Sequence, residues 1–146
     1  MSAMSNYLEN KLVDHLFRGI SFTAPTTMYI GLLTAAPSDT GGGTEVATGS
    51  YARVQYNPSY SNWKGTGTEV TNTPSAGTNG TTSNAGSITF PAPTAAWGYI
   101  THFAIYDNIT SGNLLFWGAL SIAKTVNDGD AAPSFSASAL SIQLDN

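Results

Sequence analysis

The sequence has no cysteine. Disulfide staples and thiolate metal sites are therefore excluded, and stability has to come from packing and hydrogen bonding. Charge is also scarce. Asp, Glu, Lys and Arg make up 10% of the residues, against about 25% in an average soluble domain. Only five residues are basic: Lys11, Arg18, Arg53, Lys64 and Lys124. They are scattered, and the formal net charge is −4. Binding a phosphate backbone needs a basic stripe, so no nucleic-acid partner is expected. No apolar run approaches the roughly 20 residues that span a bilayer, so no membrane partner is expected. The N-terminus lacks a basic region, an apolar run and a small-residue cleavage site. The expectation is a protein made in the cytoplasm. Heptads and short repeats are missing as well, which argues against a long fibrous shaft.

Gly, Ser, Thr, Asn and Pro fill the place of charge, while 41% of the residues are hydrophobic. That mixture suits short strands joined by many turns, and surfaces that pack against other proteins. A length of 146 residues suits one domain, 1–146, with one core.

One helix is expected, over residues 5–19. Asn6 is its predicted cap, with Glu9 three residues later completing a capping box. Leu8, Leu12 and Leu16 recur four apart with Val13 and Phe17 beside them, and Gly19 supplies the stop. The stripe either docks on the core or packs against a neighbouring subunit; periodicity does not separate the two.

Beyond residue 26 the pattern is that of strands. Thr26–Leu33, Tyr51–Tyr56, Ser87–Phe90, Tyr99–Tyr106, Leu114–Leu120 and Phe135–Leu144 are the main candidates. Alternation puts Ile100, His102, Ala104 and Tyr106 on one face, and Tyr99, Thr101, Phe103 and Ile105 on the other. Turn residues at 107–113 make 99–106 and 114–120 a hairpin. Gly41-Gly42-Gly43 marks an exposed loop, and residues 57–86 form a long irregular one in which Trp63 and Val70 could anchor short strand pieces. Seven to nine short strands over 26–146 predict a mainly β fold, an antiparallel β-sandwich or jelly roll, with one short N-terminal α-helix.

No catalytic set stands out. Asp14 and His15 are neighbours on a helix and point about 100° apart, so they are not a positioned pair. His102 sits mid-strand among aromatics and reads as a core-edge or interface residue making one hydrogen bond. Two distant histidines offer no zinc spacing. Asp128-Gly129-Asp130 reads as a turn, since its flanks do not match a calcium loop. No catalytic residue, metal or cofactor is expected, and the chain is read as a non-enzyme. The aromatics remain. Trp63, Trp97 and Trp117 can be core, protein-interface anchors or stacking platforms for sugars. Together with Leu8, Leu12 and Leu16 they are the candidate protein-interface residues.

Several stretches resemble one family across nearly the whole chain. They run from Tyr7 to Gly19, Tyr29 to Pro37, Gly49 to Arg53, Trp97 to Asp107, Gly112 to Leu120 and Lys124 to Asp130. The sequence is similar to a group of small tailed-bacteriophage virion proteins, often labelled tail-fibre proteins, some of which resemble capsid cement or decoration proteins. The segment from about Tyr56 to Asn84 departs from the family pattern, being longer and richer in Thr and Gly. The resemblance implies a structural part of the virion. The leading expectation is a cement or decoration protein on the outer capsid surface, which stabilises the assembled shell by binding only to it. Its partners would be the major capsid protein and copies of itself, in a homo-oligomer such as a trimer. The alternative is a tail or tail-fibre component that meets a host surface receptor.

Overall fold

The computed structural model describes residues 2–144; residues 1, 145 and 146 of the expected domain lie outside the described residues. The architecture is mainly antiparallel β with a single short helix near the N-terminus. A six-stranded sheet is built from β1 (Ser2–Met4), β2 (Tyr29–Ala35), β3 (Thr44–Glu45), β4 (Val54–Gln55), β7 (Gly98–Tyr106) and β8 (Leu114–Val126). Its order is β1-β8-β7-β2-β3, with β4 also pairing β2. Two small ladders complete the fold: β5 (Thr81–Ser83) with β10 (Ser141–Gln143), and β6 (Ile88–Thr89) with β9 (Ser134–Phe135).

The helix α1 spans Asn6–Phe17. Its cap is Ser5, not Asn6. Ser5 has the extended backbone of an N-cap, and its Oγ accepts from the Leu8 amide at 3.3 Å. The same hydroxyl donates to the Leu114 carbonyl, and the Ser5 amide donates to the Leu115 carbonyl at 3.0 Å. One buried serine thus ties the helix start to β8, a link that capping patterns alone do not reveal. The predicted stop is found: Gly19 takes a φ of +69°, and the Arg18 and Ile20 amides both reach the Asp14 carbonyl.

The expected hairpin of β7 and β8 forms the centre of the sheet. Its face assignment needs correction at one residue. Ile100 pairs Lys124, yet His102 pairs Ala119. Thr101 alone therefore faces four residues of β8, Leu120 to Ala123. Across this irregularity Ile100 packs with Phe103 and Ile105 in the main core, away from the cluster of Ala104 and Tyr106. The irregularity also explains why β8 runs to Val126 rather than ending at Leu120.

The main core lies between the sheet and the two ladders. Ile30, Leu32, Ile100, Phe103, Ile105 and Leu115 from the sheet meet Ile88, Phe90, Leu140 and Ile142 from the opposite layer. Each such side chain, fully buried, contributes about 1.5–3 kcal/mol. The Leu140/Ile142 alternation predicted for the last strand holds, with Ser141 and Gln143 outward; Leu144 is exposed. Asn84 is buried and acts as a polar joint: its amide group donates to the Gly86 and Ser136 carbonyls, and its oxygen accepts from Leu140. The other face of the sheet carries a smaller cluster of Leu33, Ala104, Tyr106 and Leu114, with Trp117 against it.

Candidate interaction surface

The six residues singled out as interface candidates do not converge on one surface. Leu8 is buried and Leu12 half-buried, both packed into the main core. Leu16 is 69% exposed and Phe17 82% exposed. The helix stripe is thus divided: its first turns dock on β8, and its last turn does not. Trp97 lies in the core and donates its indole N–H to the Gly49 carbonyl at 2.9 Å. Leu8 and Trp97 accordingly present no surface to a partner, which corrects their place among the interface candidates. Trp63 is half-buried against the core, edge-on to Tyr56. Trp117 is half-buried on the opposite sheet face, beside the His102 ring. The indole N–H groups of Trp63 and Trp117 are both buried and have no hydrogen-bond partner among the described residues.

Three features emerge that periodicity did not indicate. The first is the exposed end of α1. Val13, Leu16 and Phe17 are exposed, and spacings of three and four place them on one side of the last helical turn; Ile20, just past the left-handed Gly19, is exposed as well. Phe17 was visible beside the stripe; its exposure depends on where the helix leaves the core.

The second is a polar network on the sheet face. Arg53 donates from Nε and Nη2 to the two carboxylate oxygens of Glu45, at 2.8 and 2.7 Å. Its Nη1 reaches the Asn108 and Ser111 carbonyls, both at 2.8 Å, and the guanidinium carbon lies 3.4 Å from the Tyr106 ring centroid. Tyr51 donates its hydroxyl to Glu45 at 2.7 Å and accepts from the Leu32 amide at 2.9 Å. Gly31 makes room for this crowding, because a Cβ there would fall 2.9 Å from Glu45 Oε1. Burial pushes the Tyr51 phenol well above its ordinary range, and the Glu45 charge adds to this. Tyr106 is raised for the same two reasons, burial first. Burial works against the Arg53 charge, but its hydrogen bond and attraction to Glu45 outweigh that and hold it above its usual value. The network fastens strands β3 and β4 to the 108–111 turn.

The third is a cleft of about 390 Å³ beside Trp63. Its floor holds Met28, Ile105, Phe116 and Ile142, and its rim holds Tyr60, Lys64, Glu69 and several hydroxyl groups. Residues 59–63 form a helical turn, with the Trp63 amide donating to the Ser59 carbonyl at 2.9 Å. Tyr60 and Trp63, three apart, therefore lie on one side of it. Trp63 also bridges Asn84, which pins the turn to the ladder layer. The opposite wall is the predicted irregular loop, which is folded around Glu69. The Gly67 and Ala76 amides donate to its carboxylate at 2.8 and 3.2 Å. Gly65 and Gly67 permit this, since a Cβ at either would come within 2.2 Å of that carboxylate. Backbone hydrogen bonds, its own amide first, hold the Glu69 carboxyl below its ordinary range. Val70, expected as a strand anchor, is instead exposed.

His15 is exposed, with Nδ1 3.3 Å from the Phe22 amide. His102 contacts the Thr101 hydroxyl at 2.8 Å. Among the described residues, no group of three or more His, Asp or Glu side chains is placed to hold a metal ion, and no helix is long and apolar enough to cross a membrane.

A comparison with curated proteins gives no match. A family model described as "Podophage GP4 fiber I protein gp80" matches residues 3–143. With all but a few terminal residues matched, the chain belongs to the podophage GP4 fiber I protein gp80 family, one of the families of small virion structural proteins of tailed phages.

Proposed function

We propose that this chain is a non-enzymatic part of the virion that works by protein–protein contact, and that it sits on a tail fibre. The observation that carries the contact reading is the undocked apolar end of α1. Exposing Leu16 and Phe17 in water is unfavourable by roughly 1.5–3 kcal/mol per large side chain. Covering them with a copy of this chain or another virion protein recovers that free energy. Low charge suits a surface largely covered by partners. The fibre placement is supported by the description of the matching family.

Capsid decoration is the second reading. The observation that favours it is the lack of any heptad or repeat from which a shaft could be built. In that arrangement the α1 end meets the major capsid protein, and closed oligomers such as trimers clamp neighbouring shell subunits. Gold-labelled antibody on intact particles separates the two. Label on the fibres supports the first reading. Label on the shell, with lowered heat resistance of particles lacking the protein, replaces it with the second.

A further inference from the structure

We propose that the cleft between the 59–63 turn and the loop around Glu69 binds a saccharide. A pyranose ring has an apolar C–H face and an edge of hydroxyl groups, each both donor and acceptor. The cleft offers the matching parts. Tyr60 is 58% exposed, and its ring has no aromatic partner among the described residues, so one face is free to cover a sugar ring. Trp63, on the same side of the turn, lines the cleft and is held edge-on against Tyr56, so it adds apolar wall beside the Tyr60 ring.

The polar rim is suited to hydroxyl groups rather than to ions. Lys64 donates to the Ser138 hydroxyl at 2.7 Å and stands across from the acidic Glu69, so neither sign of charge dominates. Thr71 and Thr73 bond each other at 3.0 Å, and each hydroxyl keeps capacity for a further partner. An anionic ligand such as a nucleotide would need more positive charge than one lysine provides. A fully apolar ligand would leave the rim groups facing it without partners. The platform is also rigid: the Tyr56 hydroxyl donates to the Asn62 carbonyl at 2.8 Å, and the Trp63–Asn84 bridge holds the far side of the turn. Little ordering is required on binding.

The inference deepens the fibre reading, which gives sugar binding its purpose, but its measurement does not depend on where the protein sits. The full chain is titrated with methyl pyranosides of glucose, galactose, mannose, rhamnose and N-acetylglucosamine, and with their short oligosaccharides. Tryptophan fluorescence and saturation-transfer NMR are the readouts. Saturable binding to at least one sugar is expected, weakened by about tenfold or more in Tyr60→Ala, with an unchanged melting temperature. No binding across the panel overturns the proposal. So does binding that Tyr60→Ala leaves intact. Label on the shell would remove the fibre reading while leaving the titration to decide the site.

Discussion

The indole N–H of Trp97 donates to the carbonyl of Gly49 at 2.9 Å, joining residues 48 positions apart. Gly49 has a φ of +61°, and a Cβ there would lie 2.6 Å from the backbone of Ala95. The loop before Tyr51 can therefore approach the strand-leading segment at 95–97 only because residue 49 has no side chain. Gly49→Ala is expected to lower stability by about 2–3 kcal/mol, combining left-handed backbone strain with a backbone clash. Urea denaturation measures it; a loss below 0.5 kcal/mol, on the order of a neutral surface change, would contradict this packing.

The tryptophans should respond unequally to phenylalanine. Trp97→Phe removes one of two donors to the Gly49 carbonyl, which keeps the Thr94 amide, and opens a void in the core, at about 2 kcal/mol in all. Trp117→Phe removes an N–H that has no partner among the described residues, and should cost less than about 1 kcal/mol. Equal losses in parallel denaturation curves would refute the difference.

Ser5 both caps α1 and bonds the Leu114 carbonyl. Ser5→Ala should destabilise by about 1–2 kcal/mol, whereas Asn6→Ala should change stability by only a few tenths of a kcal/mol. Thermal unfolding of the two variants compares them directly, and the reverse ranking would restore Asn6 as the cap.

Alkaline pH should weaken the fold through Tyr51. Its folded-state pKa is raised, so the folded protein keeps a proton that the unfolded chain releases above about pH 10. This contribution is complete below that pH and declines as pH rises through the folded-state value. The melting temperature should fall between about pH 10 and 12, more gently in Tyr51→Phe. Identical slopes for the two proteins would show that Tyr51 ionises as freely folded as unfolded.

The end of α1 separates folding from assembly. Leu16→Asp and Phe17→Asp alter exposed positions, so stability should move by no more than about 0.5 kcal/mol. Particle incorporation, or self-association measured by analytical ultracentrifugation, should drop sharply. Unchanged incorporation and unchanged association would remove this surface from the proposed role.

Much of the architecture is legible in local pattern. Alternation from Tyr99 to Tyr106, turn residues at 107–113 and the four-residue leucine spacing of α1 each act within a few positions, where backbone propensity and side-chain period suffice. The Gly19 stop belongs here too, because only glycine enters a left-handed turn without strain. The candidate surfaces were far less legible, since alternation says that a tryptophan is apolar but not which layer covers it.

Residue pattern was enough for a mainly β chain with one helix, a central hairpin, no cysteine chemistry and resemblance to phage virion proteins. Tertiary structure alone decided that Trp97 is inside, that α1 docks by its first turns only, that β8 slips opposite Thr101, and that Tyr60 and Trp63 flank a cleft. The physical reason is separation along the chain. Register, burial and the Glu45–Arg53–Tyr106 stack depend on residues brought together from distant segments, and their free energy exists only once those segments have met.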